Sequence, residues 1–410
     1  MPNTALQKRV VRTLATAQVL NGVGVAGTVA AGSLLVSSIT ESETLAGLAQ
    51  TSAVLGAAAL ALPLAKLTAT GGRRLALSVG YLSGVIGSAL AIAGGFERNI
   101  FLMLTGTFLV GAASAAGYQA RFAAIDLASD ESRARQLSFV VWGSTIGAVA
   151  GPNLMEPSGN LAEYFSLPRL VGPYLISALT LGLAAVVVLF FLRPDPFLVA
   201  NQSTATSNER GSTKKALAHI GSNPNARIGI LAIAIGHVAM VSVMVMTPVH
   251  MAHVDVQLSV IGLVISVHVL GMYAFSPLVG LLSDRWGRVR VIQIGVLTLL
   301  LSTVISGMAR ADDAYTLGIG LLLLGLGWSC TLIAGSAFLS ESVDDEFKAS
   351  SQGASDLVMN LAGAGGGALA GIIIGNLSYG WLCFAASIPV AYLGLLTLKA
   401  NSITKKSTSG

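Results

Sequence analysis

Twelve apolar segments, each long enough to cross a lipid bilayer as a helix, constrain this chain more than any other feature. A window of about 19 residues finds them at roughly 14–38, 45–66, 74–95, 100–123, 136–155, 170–192, 227–249, 258–282, 288–308, 315–339, 350–376 and 379–398. At 1.5 Å per residue, about 20 residues cover the hydrocarbon core. Water is absent there, so each segment must satisfy its own backbone hydrogen bonds, which makes it a helix. Only 10% of the residues are charged, against about 25% in soluble domains, so most of the surface must face lipid. The fold class expected is all-α integral membrane. The first segment follows Lys8, Arg9 and Arg12; it is too long for the core of a signal peptide, and eleven more segments follow. Cys330 and Cys383 both fall inside apolar runs and read as packing residues, with no disulfide and no metal site.

The basic residues fix the expected orientation. With the N-terminus inside, 21 of the 24 Lys and Arg fall in inner segments, and 3 (Arg98, Arg169 and Arg310) in outer ones. The positive-inside rule then puts both termini in the cytoplasm. The net charge of +5 comes from these scattered anchors and forms no continuous stripe, so nucleic acid is not an expected partner. The longest polar stretch, Pro194 to Asn225, centres on a Ser/Thr/Asn-rich run from Asn201 to Asn208 and reads as a linker. The expected division is 1–193 as an N-terminal six-helix bundle, 194–226 as a cytoplasmic linker, and 227–410 as a C-terminal six-helix bundle with a short tail.

An offset of 215 residues aligns the two halves. Gly72 and Arg73 meet Gly287 and Arg288, Asp126 meets Glu341, and Arg133 meets Lys348. Matches among residues this sparse, without gaps, indicate an internal repeat of two six-helix bundles.

The loop between the eighth and ninth segments reads Gly280-Leu-Leu-Ser-Asp284-Arg285-Trp-Gly287-Arg288-Val-Arg290. Glycines allow a tight turn there, the aspartate can sit at a helix N-terminus, and the arginines can pair with acids at neighbouring helix ends. Glu341 is the natural partner of Arg288, and by the repeat Asp126 pairs with Arg73 or Arg74. This motif resembles the loop motif of the major facilitator superfamily. The resemblance implies alternating access between two halves and a cytoplasmic latch built from Gly280, Asp284, Arg285, Gly287, Arg288, Glu341, Arg73, Arg74 and Asp126. In the first half the motif has decayed, with Ala69 where the second half has Asp284. The two halves should therefore contribute unequally.

The fifth segment carries Gly143, Gly147, Gly151 and Pro152 at helical spacing. The glycines make a flat face for a close helix partner and the proline kinks the helix. The run resembles the antiporter motif of the family's drug:proton branch, although Met155 and Glu156 stand where the family pattern continues with a glycine pair. The family's arginine in the fourth segment is missing, with Thr107 in its place; Arg121 lies later in that segment, either facing a cavity or snorkelling to the inner headgroups.

Ionisable groups inside spans are costly and are functional candidates for that reason. Here they are His237, His268 and Asp356, a candidate proton relay, because histidine titrates near neutral pH. Against that role stands plain packing for each histidine, and for Asp356 a structural pair with an arginine or histidine, or a bond to Asn360 one turn on. Gln18, Asn21, Tyr118, Gln119, Arg121 and Asn360 are the candidate cavity residues. Few acids line these segments, which favours neutral, amphipathic or anionic cargo.

The combined expectation is a secondary active transporter in the cell membrane, exporting a small hydrophobic or amphipathic compound by proton antiport. A proton-coupled importer or lipid translocator of the same fold is the nearest alternative. A membrane sensor or enzyme is the reading from another class. There is no phosphate-binding Gly-rich loop with Lys-Ser/Thr, so ATP is not the expected energy source. The chain is expected to be no enzyme and to need no cofactor. Its expected partners are a small-molecule substrate, protons and the lipid bilayer, and the resemblance leans to a monomer.

Overall fold

The computed structural model describes residues 4–41, 48–201, 213–252, 254 and 256–407. The expected linker over 194–226 lies partly outside them, at 202–212. Among the described residues there are fifteen α-helices and no strand. They are α1 (Thr4–Thr40), α2 (Leu48–Phe96), α3 (Ile100–Ala123), α4 (Arg133–Asn153), α5 (Met155–Tyr164), α6 (Gly172–Phe191), α7 (Pro196–Ala200) and α8 (Thr213–Ser222), then α9 (Pro224–Ala252), α10 (Leu258–Tyr273), α11 (Ser276–Trp286), α12 (Arg288–Met308), α13 (Ala314–Glu341), α14 (Lys348–Asn376) and α15 (Tyr379–Ser407).

Among the described residues, ten helical stretches are long and apolar enough to cross a membrane. One of them, α2, has 49 residues, about 73 Å of helix, which is twice what a bilayer needs. Gly72, at φ 84° and ψ 175°, breaks it into two arms that correspond to the expected segments 45–66 and 74–95. The expected fifth segment is a bent pair: α4 and α5 meet at 62°, immediately after Pro152. The eighth breaks between α10 and α11, where Pro277 occupies the first turn of α11 and has no N–H to continue the ladder. Counted this way the described residues hold twelve spans. Outward faces carry bare apolar side chains such as Leu297, Ile372 and Leu395, each more than 60% exposed, as lipid contact requires.

The repeat is written in the backbone. Gly72 and Gly287 are the two glycines with positive φ among the described residues, at 84° and 92°, and they lie 215 apart. Only glycine enters this region without a Cβ penalty, so both loops turn the same way for the same reason. Short 3₁₀ turns at Asp130–Ser132 and Asp345–Phe347 lead into α4 at Arg133 and α14 at Lys348, again 215 apart. Each turn is tied to its helix by an ion pair three residues on, Asp130 with Arg133 at 3.0 Å and Asp345 with Lys348.

The helices gather into two compact units. The first comprises Met1–Ser129, Phe139–Ala216 and Asp345–Asn360; the second comprises Asp130–Ser138, Leu217–Asp344 and Leu361–Gly410. In the first unit, α3 runs against both arms of α2 through glycines: Gly56 lies on the Phe108 backbone, Gly111 on Ala53 and Ala57, and Gly106 on Gly87 and Ala91. Small residues at such crossings let backbones approach, which is how helices gain packing where lipid removes the hydrophobic drive.

Candidate functional site

The first unit holds a fully buried ion pair. Arg121 projects from the last turn of α3, where the helix dipole favours a cation. Its Nη2 donates to Asp356 Oδ1 at 2.6 Å, with the side chains 2% and 0% exposed. The guanidinium also lies over the Phe122 ring at 4.6 Å and the Tyr118 ring at 5.8 Å, stacking that arginine favours when desolvated. Asp356 Oδ2 has no hydrogen-bond partner. Asn360, one turn further along α14, donates its Nδ2 to the Asp356 carbonyl at 2.7 Å.

One turn in the other direction, Gln352 Oε1 accepts from Arg73 Nη2 at 2.5 Å. Arg73 grips Asp126 with both arms of its fork, Nε to Oδ2 at 2.8 Å and Nη2 to Oδ1 at 3.0 Å, the planar geometry that makes arginine–carboxylate pairs strong. Burial holds the Asp126 carboxyl above the usual carboxylate range, and Arg73 offsets only part of that rise. Arg74 takes no part through its side chain; its backbone N–H donates to Asp195 Oδ2 at 2.7 Å. The start of α14 thus carries three polar groups, Gln352, Asp356 and Asn360, at four-residue spacing along one face.

Beside this pair is a cavity of about 200 Å³, lined among others by Tyr118 and Asn360, with Thr28, Thr107, Ser114 and Tyr174. Gln18 and Asn21 stand on α1 against Gly117 of α3, and Gln18 donates to Ser144 Oγ at 2.8 Å. Both leave a buried carbonyl oxygen without a partner. Gln119 points elsewhere, donating to the Ala61 carbonyl on α2 at 2.9 Å.

The glycine run of α4 packs on α1. Gly143 approaches the Ala15 carbonyl and Gln18, Gly147 meets the Gly22 backbone, and Gly151 meets Ala26 and Gly27. Pro152 lies one residue from the end of α4, and Met155 and Glu156 open α5.

In the second unit, Arg288 collects the loop motif. It donates to Glu341 Oε1 at 2.7 Å, to Asp284 Oδ1 at 2.6 Å and to the Asp130 carbonyl at 2.6 Å. Asp284 in turn accepts from the Ala134 and Arg135 amides at 3.0 and 2.8 Å, a carboxylate at the start of α4 where unpaired N–H groups need one. Gly280 leaves room for Ser138 and the Ala134 carbonyl, while Arg285 is exposed. Removing the Asp284 charge should therefore cost about 1–2 kcal/mol. Thermal unfolding in detergent is expected to show a lower Tm for Asp284→Asn and no change for Arg285→Gln; equal shifts would contradict the capping role.

The three relay candidates have separate partners. Asp356 holds Arg121, His237 Nδ1 accepts from Trp328 Nε1 at 3.1 Å, and His268 Nδ1 donates to the Leu321 carbonyl at 2.8 Å. An indole N–H has no lone pair to offer, so the nitrogen it bonds carries no proton. His268 Nε2 is buried without a partner. Three groups were not singled out in the sequence: Gln352, Asp195 and Trp328. Gln352 had a signal, the four-residue spacing to Asp356, and Asp195 another, an aspartate before Pro196 as in a helix cap. Nothing local marks Trp328.

The family model of the Major Facilitator Superfamily matches residues 14–259 and 230–409. YdeG of Bacillus subtilis, an uncharacterized MFS-type transporter, is 36% identical over 377 residues, 92% of this chain and 88% of the relative. The riboflavin transporter RfnT of Brucella anthropi is 28% identical over 269 residues, 65% of this chain and 64% of RfnT. Among solved structures, the Major Facilitator Superfamily transporter FucP of E. coli shares the fold with a TM-score of 0.75 at 15% identity, covering 94% of this chain and 97% of that one. With its helices repeating at 215 residues and the family model matching through both halves, this chain belongs to the Major Facilitator Superfamily of membrane transporters.

Proposed function

We propose that the protein is a proton-coupled exporter of a small hydrophobic or amphipathic compound, working by alternating access between the bundles at 1–193 and 227–410 with both termini in the cytoplasm. The observation that carries this reading is the Asp356–Arg121 pair. Asp356 Oδ1 holds the guanidinium while Oδ2 is unpartnered, so a proton can add at Oδ2 before the arginine lets go. Protonation removes the carboxylate's charge and leaves Arg121 as an uncompensated buried cation, a state that favours rearrangement toward water. Proton binding is thereby linked to conformation by the charge it cancels. Of the two histidines, His268 is the stronger candidate to carry a proton because its Nε2 has no partner; His237 has the weaker claim because its Nδ1 already accepts from Trp328.

Export rests on the α4 glycine run and its resemblance to the antiporter motif. The similarity to a riboflavin transporter over 65% of the chain supports a flat, amphipathic cargo. Import is the second reading, favoured by Met155 and Glu156 at the point where the antiporter pattern would continue.

Proteoliposomes with an internal pH dye test both. Substrate-driven proton movement is expected for the natural chain and none for Asp356→Asn, which keeps an acceptor for Arg121 but cannot ionise. Unchanged proton-linked transport in that variant would remove Asp356 from the mechanism. Accumulation in right-side-out vesicles, running down the proton gradient, would replace export by import.

A further inference from the structure

We propose that the cavity in the first unit binds an uncharged, hydrogen-bond-donating face of its ligand. This rests on the transport reading above and narrows its substrate class. Charge decides the first half of the argument. None of the residues lining the cavity is ionised at neutral pH. The charged groups nearest its Tyr118 and Asn360 walls are Arg121 and Asp356, which are closed on each other at 2.6 Å. A ligand bringing its own charge would find no counterion, and an unpaired charge in a low-dielectric site is strongly disfavoured.

Hydrogen-bond capacity decides the second half. Thr28 donates its hydroxyl to the Val25 carbonyl at 2.8 Å, and Thr107 donates to the Leu104 carbonyl at 3.0 Å. Asn360, only 5% exposed, gives an amide hydrogen to the Asp356 carbonyl. Tyr174 points its hydroxyl at the Thr28 carbonyl, 3.4 Å away. Each of these groups has turned a donor onto the backbone and kept its lone pairs. Gln50 also lines the cavity with a whole amide and Asn360 keeps a second N–H, but with the Ser114 and Tyr118 hydroxyls able to act either way, the lone pairs left in the cavity outnumber its free N–H and O–H groups. A ligand therefore matches the site by supplying N–H or O–H groups on a neutral body, while Val25, Val54 and Val110 take its apolar faces.

Matched probes test this on the purified full chain in nanodiscs, by saturation-transfer NMR. One set is benzamide, N,N-dimethylbenzamide, benzamidine and benzoate; the other is uracil, 1,3-dimethyluracil and orotate. Benzamide and uracil are expected to bind and to compete with each other, and the methylated and charged members to bind at least tenfold more weakly. Tyr118→Phe and Asn360→Leu should each weaken benzamide about tenfold, the worth of one hydrogen bond, with an unchanged Tm showing that the fold is kept. Equal binding of the methylated probes, preference for benzamidine or benzoate, indifference to both substitutions, or no binding of benzamide and uracil at millimolar concentration would each overturn the proposal. The measurement needs no proton gradient. Failure here therefore leaves proton coupling standing, and failure of proton coupling leaves donor-selective binding standing.

Discussion

Arg121→Ala is expected to destabilise the protein by about 3–5 kcal/mol, because it leaves the Asp356 carboxylate buried and uncompensated. Asp356 is 0% exposed and Oδ1 has Arg121 as its partner at 2.6 Å. The loss should be visible as reduced yield in membranes and as a lower midpoint in detergent unfolding. The informative comparison is the double variant Arg121→Leu with Asp356→Leu. Removing both charges also removes the cost of desolvating them, and a well-packed apolar pair is often as stable as the ion pair it replaces. The double variant should therefore recover most of the stability that Arg121→Ala loses, while remaining inactive in proton-linked transport. A double variant as unstable as the single one would mean that Arg121 matters for its packing on Phe122 and Tyr118 and not for its charge. A double variant that still moved protons with substrate would place the coupling elsewhere.

The spans, the repeat and the loop motif were legible in the sequence because each is a local property. Hydrophobic length is counted along the chain, and Gly72 and Gly287 declare their backbone conformation by being glycine. The pairing of Arg288 with Glu341 and of Arg73 with Asp126 was likewise within reach, since both follow one spacing of 53 residues. The partner of Asp356 was not. Arg121 lies 235 residues away, and either lipid headgroups or a carboxylate would have satisfied the same basic side chain at the end of α3. The cavity was legible only in part. Tyr118 and Asn360 were candidates, but Thr28, Ser114 and Tyr174 look like ordinary helix-packing residues until the tertiary structure turns them to one space. Likewise the role of Asp195 depends on the chain returning after α6 to the break at Gly72, where its carboxylate fills the space a Cβ would need.

A large steric effect is expected at the crossing of α1 and α4. Gly147 rests on the Gly22 backbone, and a Cβ built on it would fall inside the contact distance of Gly22 and Val23 main-chain atoms. Side chains can turn aside and backbones in the middle of two helices cannot, so Gly147→Val must push the helices apart along the whole glycine face, Gly143 and Gly151 included. Overpacking usually costs about 1–3 kcal/mol; with no flexible neighbour to yield, the cost here should lie at or above the upper end of that range. Gly371→Val supplies the control, since it is equally helical in α14 and meets nothing within 4 Å. It carries the same β-branched side chain and the same propensity change, so any difference between the two variants reports the crossing alone. The natural chain and Gly371→Val are expected to unfold together in detergent and to transport alike. Gly147→Val should unfold well below them. If it instead folds normally but fails to transport, the close approach of α1 and α4 is a requirement of the moving states and not of the resting fold, and the α4 glycines become a hinge surface in their own right.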